Sequence, residues 1–184
     1  MPLSAAKPRK HLHTRQVICQ GFEREDGLWE IEGQIIDTKT YDIDNQDRGG
    51  TIRAGEAVHH MLVRVAVDAS FTIREAEAAM DYTPFAICPS IAPDFSELVG
   101  LNLGPGFKKA LTAKFGGTHG CTHVVELMGP IATTAFQTIA PRLKRKDGVV
   151  ASRPPMIDRC HAMAADGPVV ARLWPQFAEP AKKS

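Results

Sequence analysis

Trp29-Glu30-Ile31-Glu32-Gly33-Gln34-Ile35-Ile36-Asp37 is the stretch on which the fold turns. Trp29, Ile31, Gly33, Ile35 and Asp37 recur at period two, the spacing of a strand with one face buried. The strand reads from Leu28 to Thr40. Just before it, Asp26-Gly27 suits a tight hairpin turn, so Val17 to Glu25 forms the first arm of a hairpin. Residues 41 to 55 are polar and glycine-rich (Asp42, Asp44, Asn45, Asp47, Gly49, Gly50) and read as a surface loop. A second hairpin follows. Met61, Val63, Val65 and Val67 alternate with Leu62, Arg64, Ala66 and Asp68, and Phe71 and Ile73 open the return strand after a turn. Within Arg74 to Met80, Glu-Ala-Glu-Ala-Ala favours helix by propensity, but Ala76, Ala78 and Met80 keep period two, and the periodicity predicts strand.

The second half of the chain changes character. Pro93 to Leu103 and Gly106 to Phe115 read as short helices separated by Gly104-Pro105. The best helix runs from Val124 to about Pro141, with Val124, Leu127, Met128, Ile131, Ala135, Phe136 and Ile139 forming one apolar stripe. Gly129-Pro130 is expected to kink it. Residues 147 to 158 read as loop and Val169 to Trp174 as a last short strand. Strands first and helices afterwards predict an α+β fold, an antiparallel β-sheet with C-terminal helices packed on one face. Residues 1–12, rich in Lys, Pro and His, read as a disordered arm before one domain over 13–184.

The 184 residues suit one well-covered core, and a net charge of +1 supplies no overall field to draw nucleic acid or an anionic membrane. The basic clusters Lys7-Arg9-Lys10 and Arg142-Lys144-Arg145-Lys146 read as a frayed terminus and a solvated helix end. No window approaches the roughly 18 consecutive apolar residues of a membrane span, and no signal-peptide pattern opens the chain. A cytoplasmic location is expected, where Cys19, Cys88, Cys121 and Cys160 stay reduced. They lie far apart without a Cys-x-x-Cys pair, which removes the strongest zinc signature.

Chemistry concentrates in Gly116-Gly117-Thr118-His119-Gly120-Cys121-Thr122-His123, directly before the best helix. A thiol at a helix N-terminus faces unpaired N–H groups and the positive dipole end, which favour thiolate, the form that binds metal or attacks an electrophile. Cys121 and His123 are one residue apart, and Glu126 falls one turn beyond His123, placed to orient the imidazole or to ligate. His119 is a commonplace loop histidine or an outer member of the site. Of His59-His60, at the mouth of a strand, only one can face a buried site. Cys88, in Pro84-Phe85-Ala86-Ile87-Cys88-Pro89, is as readily core as ligand, and Cys160-His161 reads as incidental.

Several blocks resemble a bacterial family known only as a domain of unknown function: Arg24 to Trp29, Asp37-Thr38-Lys39, Ala54-Gly55-Glu56 with His59, Cys88-Pro89, Leu98-Val99-Gly100, Gly120-Cys121-Thr122-His123-Val124-Val125-Glu126-Leu127, and Cys160-His161 with Asp166-Gly167. The resemblance covers nearly all of the chain after residue 13 and implies no activity. A weaker one is to iron–sulfur cluster scaffold proteins. Met61 to Asp68 is similar to their first strand, Cys88 falls at their second cysteine and Cys121 near the third, while His59 takes the place of an aspartate. Ala57 stands where the scaffold has its first cysteine, so the three-cysteine site is not present as such.

Three functions follow. The leading one is a metal-binding protein holding zinc or an iron–sulfur cluster through His59, Cys88, Cys121 and His123, with Glu126 and His119 behind them. The second is a thiol enzyme with Cys121 as nucleophile. The third is a non-catalytic interaction or accessory module, which leaves a protein partner open; neither nucleic acid nor membrane is expected.

Overall fold

The computed structural model describes residues 3–143, 153–154 and 156–180. Its contacts fall into two compact units, Met1–Leu143 and Lys144–Ser184, within the span that the sequence reads as one domain.

The first unit is an antiparallel sheet of four long strands, β1 (His13–Glu23), β2 (Trp29–Lys39), β5 (Ala57–Val67) and β6 (Ile73–Tyr82), in the order β1-β2-β5-β6. The hairpin turns where expected, but through the three-residue loop Glu25-Asp26-Gly27 closed by Arg24 and Leu28, one residue longer than a two-residue Asp-Gly turn. Gly27 adopts φ +85°, Asp26 Oδ1 accepts from the Leu28 N–H, and the Arg24 N–H donates to the Leu28 carbonyl. That turn sets a β1–β2 register with Arg15 opposite Asp37, Val17 opposite Ile35 and Cys19 opposite Gly33. The segment 41–55 is more ordered than a loop, because β3 (Ile43–Asn45) and β4 (Gly50–Ile52) pair in a second, small sheet that buries Ile52. The ambiguous stretch 74–80 is strand: Ala76, Ala78 and Met80 pack toward the core, and tertiary burial overrides helix propensity.

One face of the sheet carries the core. Helix α2 (Thr122–Ile139) lies across it with Val124, Leu127, Met128, Ile131, Ala135 and Ile139 buried, and it continues through Pro130. The close approach needs a residue without a side chain, since a Cβ on Gly33 would lie 2.8 Å from the Ile131 side chain. Helix α1 (Phe107–Phe115) adds Phe107, Leu111 and Phe115. Residues Cys88–Leu98 form a 3-10 segment, shifted from the helix expected over 93–103, with Phe95 and Leu98 fully buried. Pro93, inside the segment, removes an N–H group that a regular helix there would need, whereas Pro89 stands at its start, where no intrahelical bond is lost. The α+β architecture is therefore as the sequence indicates, with helices on one face.

The second unit has a small core of Ile157, Ala165, Val170 and Trp174. Its element α3 (Pro168–Leu173) is a helix, which corrects the strand read over Val169 to Trp174. Gly167 precedes Pro168 at the first helical position, a start signal that the β-branched pair Val169-Val170 obscured. Most of the loop read over 147–158 lies outside the described residues. Among the described residues, no helix is long and apolar enough to cross a membrane.

Candidate metal centre

Among the described residues Asp37 is the only buried carboxylate, 1% exposed at the end of the core-facing row of β2. An isolated buried carboxylate is costly, so its surroundings must hold the charge. The registers supply the means. Arg15 on β1 and His59 on β5 both lie directly opposite Asp37, which makes Arg15–Asp37–His59 one row across three strands. Arg15 donates from Nε to Asp37 Oδ1 and from Nη2 to Oδ2, both at 2.8 Å. His59 Nδ1 lies 3.1 Å from Oδ2 and His13 Nε2 lies 3.3 Å from Oδ1.

Helix α2 sets its first turn over this row. His123 lies on the ring of His59, with centroids 3.8 Å apart, and its Nε2 is 3.8 Å from Asp37 Oδ2. The N-cap residue Cys121 places its Sγ 3.9 Å from His123 Nδ1. One nitrogen from each histidine and one Asp37 oxygen all lie within 4.8 Å of one another, a set able to hold a metal ion.

The electrostatics keep the set ready for a cation. Burial lowers the pKa of both imidazoles; for His59 the neighbouring His123 adds to this, and for His123 the Arg15 charge does. Burial pushes the Asp37 carboxyl up, but the Arg15 hydrogen bonds and charge, with His59 and His13, more than offset it, and the net shift is downward. Two neutral imidazoles thus face an ionised carboxylate. Around them one guanidinium meets the two carboxylates Asp37 and Glu126, which leaves one negative charge over.

A pH dependence follows from these directions. Histidines whose folded pKa lies below the ordinary 6.5 bind fewer protons folded than unfolded, so stability falls as pH drops below 6.5 toward the folded values. Asp37 is also lowered, so its contribution is present above the ordinary 3.8 and is lost as pH falls further, toward its folded value. Denaturant titrations of metal-free protein are expected to show a first loss of stability below pH 6.5. His59→Gln/His123→Gln should flatten that step while leaving the acidic one.

Of the residues singled out from sequence, His59 and His123 come together and Cys121 touches His123. Among the described residues no set within ligand reach includes Cys88, which is half-buried at the start of the 3-10 segment beside exposed Ile87. Glu126 is not directed to the imidazole. It accepts a 2.6 Å hydrogen bond from Arg15 Nη1 because it lies one turn further along α2, above β1. His119 lies exposed at the end of the turn Gly117–His119, and Cys160 and His161 are exposed in the second unit. His60 faces away from the site as alternation requires, with Nε2 3.2 Å from Gln34 Oε1 and Nδ1 3.3 Å from Asp81 Oδ2.

Asp37, Arg15 and His13 were missed as members of the site. The signal for Asp37 was a carboxylate on the apolar face of an alternating strand, which demands a buried partner. A two-residue turn at Asp26-Gly27 would set Gln16 opposite Asp37; the three-residue loop Glu25-Asp26-Gly27 that forms instead moves the register by one and makes Arg15 the partner.

The family model described as "Protein of unknown function (DUF2889)" matches residues 13–137. The chain belongs to this family. The DUF2889 match takes in the whole sheet and nearly all of α2, including every residue of the His/Asp cluster; Cys160-His161 and Asp166-Gly167 lie beyond it. No curated protein and no solved structure matches the chain, so the likeness to iron–sulfur scaffolds stands on the sequence alone.

Proposed function

We propose that this DUF2889 protein binds a divalent metal ion of the zinc type through Asp37, His59 and His123. The observation that carries the reading is the convergence of the three donors from three elements, β2, β5 and α2, on one half-buried point. Donors at about 2.0–2.1 Å around a tetrahedral zinc lie roughly 3.3 Å apart. The spacings of Asp37 Oδ2 to His59 Nδ1 and to His123 Nε2, 3.1 and 3.8 Å, bracket that value. Arg15 takes one lone pair on each Asp37 oxygen and leaves others free, so it orients the carboxylate without consuming it. An ion takes the place of the hydrogen bond between His59 and Asp37, with the proton of the neutral His59 ring held on Nε2 instead of Nδ1. Nitrogen and oxygen donors favour zinc over an iron–sulfur cluster, which needs several thiolates, and three protein donors leave a position open for water or substrate.

Calorimetric titration of metal-free protein with zinc tests the reading. His59→Ala and His123→Ala are each expected to weaken binding by more than the ~10–100-fold that loss of an outer partner costs. Cys88→Ala should leave binding unchanged. Equal affinity in wild type and both histidine variants overturns it.

The contact between Cys121 and His123 favours a second reading, a thiol nucleophile with His123 as base and Asp37 behind it. The two readings demand opposite tautomers of His123. A metal ligand needs the lone pair on Nε2, with Nδ1–H toward the sulfur; a base needs the lone pair on Nδ1, with Nε2–H toward Asp37. Nitrogen chemical shifts of the His123 ring separate them.

A further inference from the structure

The two edges of the main sheet are treated differently. Along β6, Arg74, Glu75, Glu77 and Asp81 place charges, and the segment 100–103 covers its start: the Gly100 N–H donates to the Ile73 carbonyl and the Ile73 N–H to the Leu101 carbonyl, both at 2.9 Å. Such charge and cover are how sheets block further pairing. The other edge, β1, has neither over its middle. Gln16-Val17-Ile18-Cys19-Gln20-Gly21-Phe22 carries no charge, and Val17, Ile18 and Phe22 are 43, 44 and 43% exposed.

The backbone of β1 has a definite parity. At its two ends the Thr40 N–H donates to the Leu12 carbonyl and the Arg24 N–H to the Leu28 carbonyl, and the register between them has no bulge. Even-numbered residues therefore bond to β2, and the odd-numbered residues 13 to 23 turn their N–H and C=O outward. Among the described residues, the one outward group of these with a hydrogen-bonding partner is the His13 carbonyl, taken by His11 Nε2.

We infer that the partner of this edge is a second copy of the chain, paired antiparallel along β1 about a two-fold axis at Ile18, so that two four-stranded sheets become one. The sequence of β1 is complementary to itself in that register. Every outward-turned residue meets another: Val17 faces Cys19 of the partner subunit, Arg15 faces the partner's Gly21, and His13 faces the partner's Glu23. Beside the axis this brings the half-buried Cys19 of each chain against the exposed Val17 of the partner subunit, an apolar match on the core-side face. On the open face of the sheet, Ile18 meets its own copy and Gln16 meets the partner's Gln20. A shift by one residue would set the outward groups against the wrong parity. The inference does not depend on the metal reading.

Sedimentation of the full chain tests it. The wild-type protein is expected at dimer mass. Val17→Pro removes an outward N–H while sparing the β2 ladder, and Ile18→Lys places like charges on the axis; each is expected at monomer mass with an unchanged circular dichroism spectrum. Ile18 and its copy form a non-hydrogen-bonded pair, with Cα atoms about 4.5 Å apart, within the reach of a disulfide. Mild oxidation of Ile18→Cys should therefore link two chains through that position, read by peptide mass spectrometry, whether or not the disruptive variants fold. A monomeric wild-type chain overturns the inference, as does a dimer that both disruptive variants leave intact. A dimer in which Ile18→Cys links no chains overturns the register.

Discussion

Asp37→Ala is expected to abolish zinc binding and to destabilise the metal-free protein at the same time. The carboxylate is the hub of the site, touched by Arg15 from β1, His13 at the start of the same strand and His59 from β5, with His123 above. Removing it leaves the Arg15 guanidinium without its bidentate partner. Breaking a buried pair from one side costs about 3–5 kcal/mol. The cost here belongs at the lower end of that range, because Arg15 is 31% exposed and keeps Glu126. Asp37→Asn separates the two effects. It holds the shape and some hydrogen bonds but removes the charge, so zinc affinity should fall steeply while stability falls less. The checks are denaturant unfolding without metal and calorimetric titration with it. An Asp37→Ala protein as stable as wild type would show that the row across the three strands is a surface arrangement rather than a structural one.

Phe95→Ala is expected to lower stability by about 3–5 kcal/mol, the range for truncating a buried aromatic side chain. Phe95 is fully buried and stacked on Phe115, with ring centroids 4.8 Å apart. The segment that carries it is eleven residues of 3-10 helix containing prolines 89 and 93. Runs of that length are uncommon because their hydrogen bonds are poorer, so side-chain burial at Phe95 and Leu98 has to hold the segment against β6. Thermal melting should show a decrease on the order of 10 °C for a unit of this size. Phe95→Leu keeps most of the apolar bulk and loses the stacking, worth about 0.5–1.5 kcal/mol, so its loss should be smaller.

The fold was legible where local patterns and tertiary demands agree. The period-two runs of β2 and β5, the Asp26-Gly27 turn and the apolar stripe of α2 each specify their element, and together they imply a sheet with a helix on one face. Misreadings came where a local preference was weak. The β-branched Val169-Val170 pair suggested strand, although the Gly167-Pro168 start makes it the opening of α3, and the prolines near Phe95 hid a 3-10 segment. At the site, His123 and Cys121 could be read because loop glycines and a helix start are adjacent in sequence.

Periodicity in the chain by itself determined which residues face inward, Asp37 and His59 among them, because side-chain direction in a strand follows from the order of residues alone. Only the tertiary structure decided who meets whom. Strand register placed Arg15, Asp37 and His59 in a row, and the seating of α2 on Gly33 brought His123 over that row while no ligand set among the described residues took in Cys88. Register and helix placement are set by packing among residues far apart in the chain, and spacing along the sequence does not record that.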